Sequence, residues 1–370
     1  MNSISEKISK WSPWVALVGI FYVLIGGLLL PLNPGITGVN KSLLFSDSVQ
    51  TITVQTYQFP KHTVIRKVWL RTTIPSKQGA FSFFEAKVFA QDKVDITNTF
   101  AIQTHCILGN SDVKSQDLDL WVEYNNDLIF LPKSFYLKKS VKDTIHKSAN
   151  FVDFNTKDRL NDSKGLTFPN RVTLNESIRN LFYHVPMWFS MILLLAIAAV
   201  FGIRYLTNGN LENEYRFDAL IKVGIVCGVL GMITGATWAR ATWGSWWPKD
   251  DPKLNGVAIG MLMYLAYLVL RSTLTDPYQK ARISAIYSVF VFPIFIALIA
   301  IMPKLAENSL HPGSGDSVGF NQYDLNSTLR MFFWPAVISW IALFWWIADI
   351  VYRLRKIEEL QLQKEYEENV

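Results

Sequence analysis

The chain is poor in the groups that most enzymes and secreted scaffolds depend on. It has two cysteines, Cys106 in a polar region and Cys227 in an apolar run, and no Cys-x-x-Cys. No disulfide framework is expected, and thiol-redox chemistry and covalent attachment of a prosthetic group to this chain are disfavoured. The five histidines are His62, His105, His146, His184 and His311. None lies within four residues of another, so the helical zinc pair is absent and ordinary metal-hydrolase spacing is missing. No nucleophile stands beside a base in a recognisable motif, so a bond-making enzyme is not expected. Charge is scarce too: 18% of residues are charged and 50% are hydrophobic, which excludes an ordinary soluble domain of this length. Although the net charge is +6, there is no basic run, so nucleic acid is not an expected partner.

Apolar runs fill the space. Six are long enough to cross a bilayer at roughly 20 residues per helix: Pro13–Leu30, Val185–Tyr205, Leu220–Trp238, Gly256–Leu270, Ile283–Met302 and Met331–Val351. The fourth is short, and its helix is expected to start a few residues earlier. The first lacks a small-x-small cleavage site before Pro31-Leu32-Asn33-Pro34 and is read as an anchor. Lys7, Lys10, Arg204, Arg216, Lys222, Arg271, Lys280, Arg282, Arg353, Arg355, Lys356 and Lys364 fall on one side of this topology. The other side's short loops hold only Arg240, Lys249, Lys253, Lys304 and Arg330. The positive-inside bias then predicts both termini in the cytoplasm.

The polar stretch between the first two runs is expected to lie outside the membrane. It alternates with period two in Thr51–Tyr57, Val64–Leu70, Phe81–Phe89, Phe100–Leu108, Leu118–Tyr124 and Leu128–Tyr136. Short strands broken by Gly, Asn, Asp and Pro predict a small antiparallel, mainly-β domain, sandwich-like or barrel-like. Asp153–Lys164 reads as a linker. The expected fold is therefore an all-α polytopic membrane protein of six helices with an inserted extracytoplasmic β domain. Residues 1–34 hold the N-terminus and first span, 35–180 the β-rich domain, 181–353 five spans, and 354–370 a tail. Its acidic stretch Glu358–Glu368 continues the last helix.

One segment concentrates chemistry. Trp243-Gly244-Ser245-Trp246-Trp247-Pro248-Lys249-Asp250-Asp251-Pro252-Lys253-Leu254 joins the third and fourth runs. A single tryptophan there would be an interfacial anchor. Three, with an acidic and basic rim, form a flat aromatic platform for a large planar ligand. Charge bias puts His184, at the head of the second run, and His311, between the fifth and sixth, on the same face. Histidine at a membrane boundary is often functional, and two imidazoles beside a planar aromatic ligand suit haem iron. Arg240 and Arg330, at outer helix ends, are read as snorkelling side chains or as partners of a haem propionate. His62, His105 and His146 are read as ordinary residues of the polar domain.

The tryptophan loop, with His184-Val185-Pro186 before it and His311 after it, resembles the WWD signature of the CcmC family, over roughly Ile178 to Arg355. That resemblance implies haem b held transiently and non-covalently at the outer face, with His184 and His311 as axial ligands and Trp243, Trp246 and Trp247 against the porphyrin. It also implies delivery to the periplasmic haem chaperone CcmE, and CcmA-, CcmB- and CcmD-type subunits as partners beside membrane lipid. The chain departs from the family pattern where Lys249 stands near an expected tryptophan. Asp251 fits the run Asp-Pro-Lys-Leu, Asp250 fits the count from Trp247, and Lys253 takes the basic position. The large outer domain is a further departure. A CcsA- or CcmF-like haem synthase is the alternative. A solute permease is disfavoured because no paired repeat is present.

Overall fold

The computed structural model describes residues 2–46, 48–59, 64–73, 83–89, 99–106, 115–124, 127–139, 166–171, 174–306, 309, 311 and 325–368. The Asp153–Lys164 linker, His62 and His146 lie outside them. The chain forms two compact units, Met1–Leu30 with Ser177–Val370, and Pro31–Glu176.

The first unit is helical. Among the described residues, six helices are long and apolar enough to span a membrane: α1 (Asn2–Leu29), α2 (Leu181–Asn208), α3 (Leu211–Trp243), α4 (Pro252–Thr273), α5 (Pro277–Ile296) and α6 (Ser327–Glu368). The fourth starts earlier than its apolar run because Asp251 caps it and Pro252 opens it. The fifth continues through a π-helical stretch, Ala297–Ile301, into a last turn, Met302–Leu305. The sixth runs straight into the acidic tail. The core joins α2 to α6 and includes Met191, Phe217, Ile221, Tyr264, Phe295 and Phe344. The first helix packs on α6 and leaves Trp11, Trp14, Val18 and Phe21 exposed, the surface expected of a lipid-facing helix.

Prolines inside these helices each deprive the carbonyl four residues back of its donor. Side chains replace three of them. Ser12 donates to Ser9 O at 3.2 Å, beside Pro13. The Trp340 indole donates to Phe182 O at 3.2 Å, beside Pro186. Tyr22 donates to Met331 O at 3.4 Å, beside Pro335. In lipid such a repair counts for more, because no water can substitute.

Arg271 is expected as one of the basic residues of the inner side. It joins a network that is buried except for Lys222. Asp218 pairs with Lys222 at 2.8 Å and with Arg271 at 3.0 Å, and accepts from Tyr267 at 3.0 Å. Arg271 also pairs with Glu214 and donates to Ser284 at 3.1 Å. The network ties α3, α4 and α5 together at the end opposite the tryptophan loop.

The described residues of the second unit form an eight-stranded sheet: β1 (Gly35–Val39), β2 (Leu43–Phe45), β3 (Val49–Tyr57), β4 (Ile65–Thr72), β5 (Phe83–Phe89), β6 (Thr99–His105), β7 (Ser115–Tyr124) and β8 (Asp127–Lys138). Its order is β1-β3-β6-β5-β4-β7-β8-β2. This corrects the sandwich-like expectation. A twisted sheet curls until β1 meets β8, closing a half-barrel over its own inner face. Ile52, Val54, Leu70, Ile102, Leu120 and Phe135 fill that face, so no second sheet is needed to cover it. The pairing is not wholly antiparallel, since β2 runs parallel to β8. On the outer face Trp69 and Trp121 are cross-strand partners. The Arg71 guanidinium stands 4.8 Å over the Trp121 ring and pairs with Asp119 at 2.8 Å. His105 ends β6.

Candidate functional site

Successive spanning helices alternate in direction. The start of α2, the loop between α3 and α4, and the segment between α5 and α6 therefore share one end of the helical unit. His184 and His311 belong to that end, as the alternation of apolar runs predicts.

His184 sits in the first turn of α2, and three neighbours fix that turn. Arg179 donates to Gly27 O of α1 at 2.6 Å, Asn180 to Thr234 O of α3 at 2.8 Å, and Trp340 of α6 to Phe182 O. The imidazole lies against α3, where Nδ1 meets Gly231 O at 3.0 Å and Thr234 Oγ1 at 3.2 Å. A carbonyl only accepts, so Nδ1 carries the proton and Nε2 keeps its lone pair. Trp188 and Trp238 present their rings edge-on to it, at 6.2 and 5.7 Å. A Cβ on Gly235 would stand 2.6 Å from His184 Cε1, so only glycine admits the ring there.

The tryptophan loop begins where Gly244 ends α3 in the left-handed conformation, φ 76°. Arg240 donates to the Gly244 carbonyl and secures that turn. Trp243 and Trp247 are half-buried, whereas Trp246 is 58% exposed. The two adjacent carboxylates have different fates. Asp250 is exposed, while Asp251 is 2% exposed. Asp251 Oδ1 accepts from Lys253 N at 3.0 Å and Leu254 N at 3.1 Å, which caps α4. Lys253 is half-buried in the same turn.

His311 is brought to this loop from the other side of the sequence. Its Nδ1 lies 3.3 Å from Asp251 Oδ2, and its ring meets Trp243 edge-on at 5.0 Å. Ser309 donates to the same carboxylate oxygen at 3.1 Å. Since a carboxylate only accepts, Nδ1 is again the donor and Nε2 keeps its lone pair. Arg330 is exposed in the first turn of α6.

Among the described residues, Nε2 of neither histidine meets a hydrogen-bond partner. Nor do three or more His, Cys, Asp or Glu side chains gather around one metal position. The arrangement offers two imidazole donors beside indole rings, which suits a metal carried in a planar macrocycle better than a bare ion. Sequence reasoning overlooked Gly231, Thr234 and Gly235. Their signal was the spacing Gly231-Met232-Ile233-Thr234-Gly235, a small-residue stripe that lets another helix approach closely. Trp188, one turn after His184, was equally readable.

The family model described as Heme exporter protein C matches residues 164–369. The chain is 26% identical to the Heme exporter protein C of Paracoccus denitrificans over 154 residues, which is 42% of this chain and 63% of that protein. It is 24% identical to the protein of the same name from Rhodobacter capsulatus over 188 residues, 51% of this chain and 75% of that one. A third relative, the cytochrome c biogenesis protein CcsA of Prochlorococcus marinus strain MED4, is 38% identical over 96 residues, 25% of this chain and 30% of that one. The matched part of the chain thus spans less than two thirds of the Paracoccus protein's length.

Proposed function

Because the chain belongs to the Heme exporter protein C family, a group concerned with cytochrome c maturation, we propose that it binds one haem at the tryptophan-loop end and hands it on. The observation that carries this reading is the matched state of His184 and His311. Each has its Nδ1 proton engaged and its Nε2 lone pair free of partners among the described residues, which is the tautomer an axial ligand needs. Haem b is held by these two bonds alone, with no covalent link. Trp243, Trp246 and Trp247 pack against the porphyrin, and Arg330 is placed to meet a propionate. Asp251 is the motif carboxylate, because it alone of the pair is buried against His311.

In this reading the tryptophan-loop end faces the periplasm of a bacterial inner membrane and both termini are cytoplasmic, in keeping with the distribution of Lys and Arg. The recipient is a periplasmic haem chaperone of the CcmE type, and CcmA-, CcmB- and CcmD-type subunits assemble around the helices. Transfer needs only exchange of coordination bonds, so the protein carries haem rather than making bonds to it. The half-barrel unit is an extracytoplasmic addition to this machinery.

The absorption spectrum of the purified protein tests the site. His184→Ala and His311→Ala should each abolish the six-coordinate Soret signature, and unchanged spectra in both would refute the ligand pair. The kinship with CcsA supports a second reading, a synthase that attaches haem to an apocytochrome. Co-expression with a reporter cytochrome and no chaperone separates the two: covalent haem in the reporter would favour the synthase.

A further inference from the structure

Asp251 has two engagements at once. Oδ1 caps α4 through Lys253 N and Leu254 N, while Oδ2 accepts from Ser309 and from His311 Nδ1. A carboxylate that is 2% exposed is costly to bury unless donors satisfy its lone pairs. Here the cap, a hydroxyl and an imidazole do so together. The sharing has an electronic effect as well. An imidazole whose Nδ1 proton is drawn toward a carboxylate donates more strongly from Nε2. His184 has no such partner. Its Nδ1 meets a neutral carbonyl and a neutral hydroxyl. The two histidines therefore differ in their surroundings although both present Nε2.

We propose that Asp251 is a positioning residue that makes His311 the stronger axial ligand and His184 the weaker one. This rests on the reading that both histidines hold one haem. Ferric iron, with the higher charge, gains more from the stronger donor than ferrous iron does, so Asp251 favours the ferric form. The same residue couples the ligand to the loop. A change that frees the start of α4 from Oδ1 also disturbs the carboxylate that holds Ser309 and His311. The weaker His184 bond is then the one that an incoming ligand displaces first.

The test uses the full-length protein with haem in detergent, comparing Asp251→Asn and Thr234→Val with wild type. Asparagine caps a helix about as well as aspartate but carries no charge. Asp251→Asn should keep a six-coordinate spectrum and near-wild-type thermal unfolding. Its ferric affinity should fall about tenfold relative to its ferrous affinity, which raises the one-electron midpoint by about 59 mV. Thr234→Val should move the midpoint less. In wild type, titration with free imidazole should displace His184 first, so the part-titrated spectrum should match that of His184→Ala with imidazole bound rather than that of His311→Ala with imidazole bound. A wild-type midpoint and unchanged ferric electron paramagnetic resonance in Asp251→Asn would reduce Asp251 to a helix cap and overturn the proposal. If His311→Ala itself kept the wild-type spectrum, the ligand pair would fail, and this proposal with it, whatever Asp251→Asn did.

Discussion

Trp340 of α6 donates its indole N–H to the Phe182 carbonyl, 3.2 Å away, that Pro186 leaves without a helical donor. Phe182 stands two residues before His184. One bond from a different helix thus secures the turn that carries a proposed ligand. Trp340→Phe keeps most of the ring and removes the donor. The unsatisfied carbonyl should cost about 1–3 kcal/mol. Thermal unfolding in detergent should register that loss, and haem retention should fall with it. An unaltered melting temperature would show that the carbonyl finds another donor.

Gly235 sets the space for the His184 ring. A methyl group there would lie 2.6 Å from His184 Cε1. Gly235→Ala should push the imidazole off Gly231 O and turn the spectrum toward five-coordinate, high-spin haem. Alanine is the better helix former, so α3 itself should not suffer. A mutant that keeps the wild-type Soret band and ferric resonance would remove Gly235 from the site.

Arg271 anchors the buried ionic network at the opposite end. Its side chain is 11% exposed, and its partners Glu214 and Asp218 are each 5% exposed. Removing one member strands the others in a low-dielectric interior, a loss of about 3–5 kcal/mol. Arg271→Met should therefore lower the unfolding temperature and the yield of folded protein. Asp218→Asn in the Arg271→Met background should restore part of it. If the double mutant is no more stable than the single one, the charges are not coupled.

Cys106 gives a pH dependence within the half-barrel unit. Burial pushes its thiol up from 9.0 to about 11, against a smaller opposing effect from the Thr104 hydrogen bond. The folded state therefore holds the proton longer than the unfolded state. The unit should lose stability as pH rises from about 9 to 11 and show no such loss below that window. Denaturant unfolding at pH 7 and at pH 10.5 tests this, with Cys106→Ser as the control that flattens the difference. At pH 8, alkylation of Cys106 in the folded protein should be slow.

The six helices were legible because each carries an apolar run that water will not tolerate. The half-barrel was legible strand by strand wherever side chains alternate, as in β3 and β6. The five-residue β1, which contains two glycines, and the three-residue β2 were not, since neither is long enough to show a period. Sheet closure was also hidden, because curling depends on twist summed over strands rather than on any one of them. Arg271 stood in the sequence as one basic residue of the inner side, and only packing turns it inward onto Glu214 and Asp218. His184, His311 and the tryptophans stood out by residue type. The choice between Asp250 and Asp251 did not, because it rests on which carboxylate faces a segment some 60 positions away.

The π-helical stretch Ala297–Ile301 has a consequence for how His311 reaches Asp251. A π turn takes up one residue more than an α turn, and each residue of an α-helix advances the chain by about 100° around the axis. Deleting one residue from this stretch would therefore leave an α turn in its place and hold Ser309 and His311 near their present azimuth, whereas deleting one residue from the α-helical part of α5 would rotate both by about that angle.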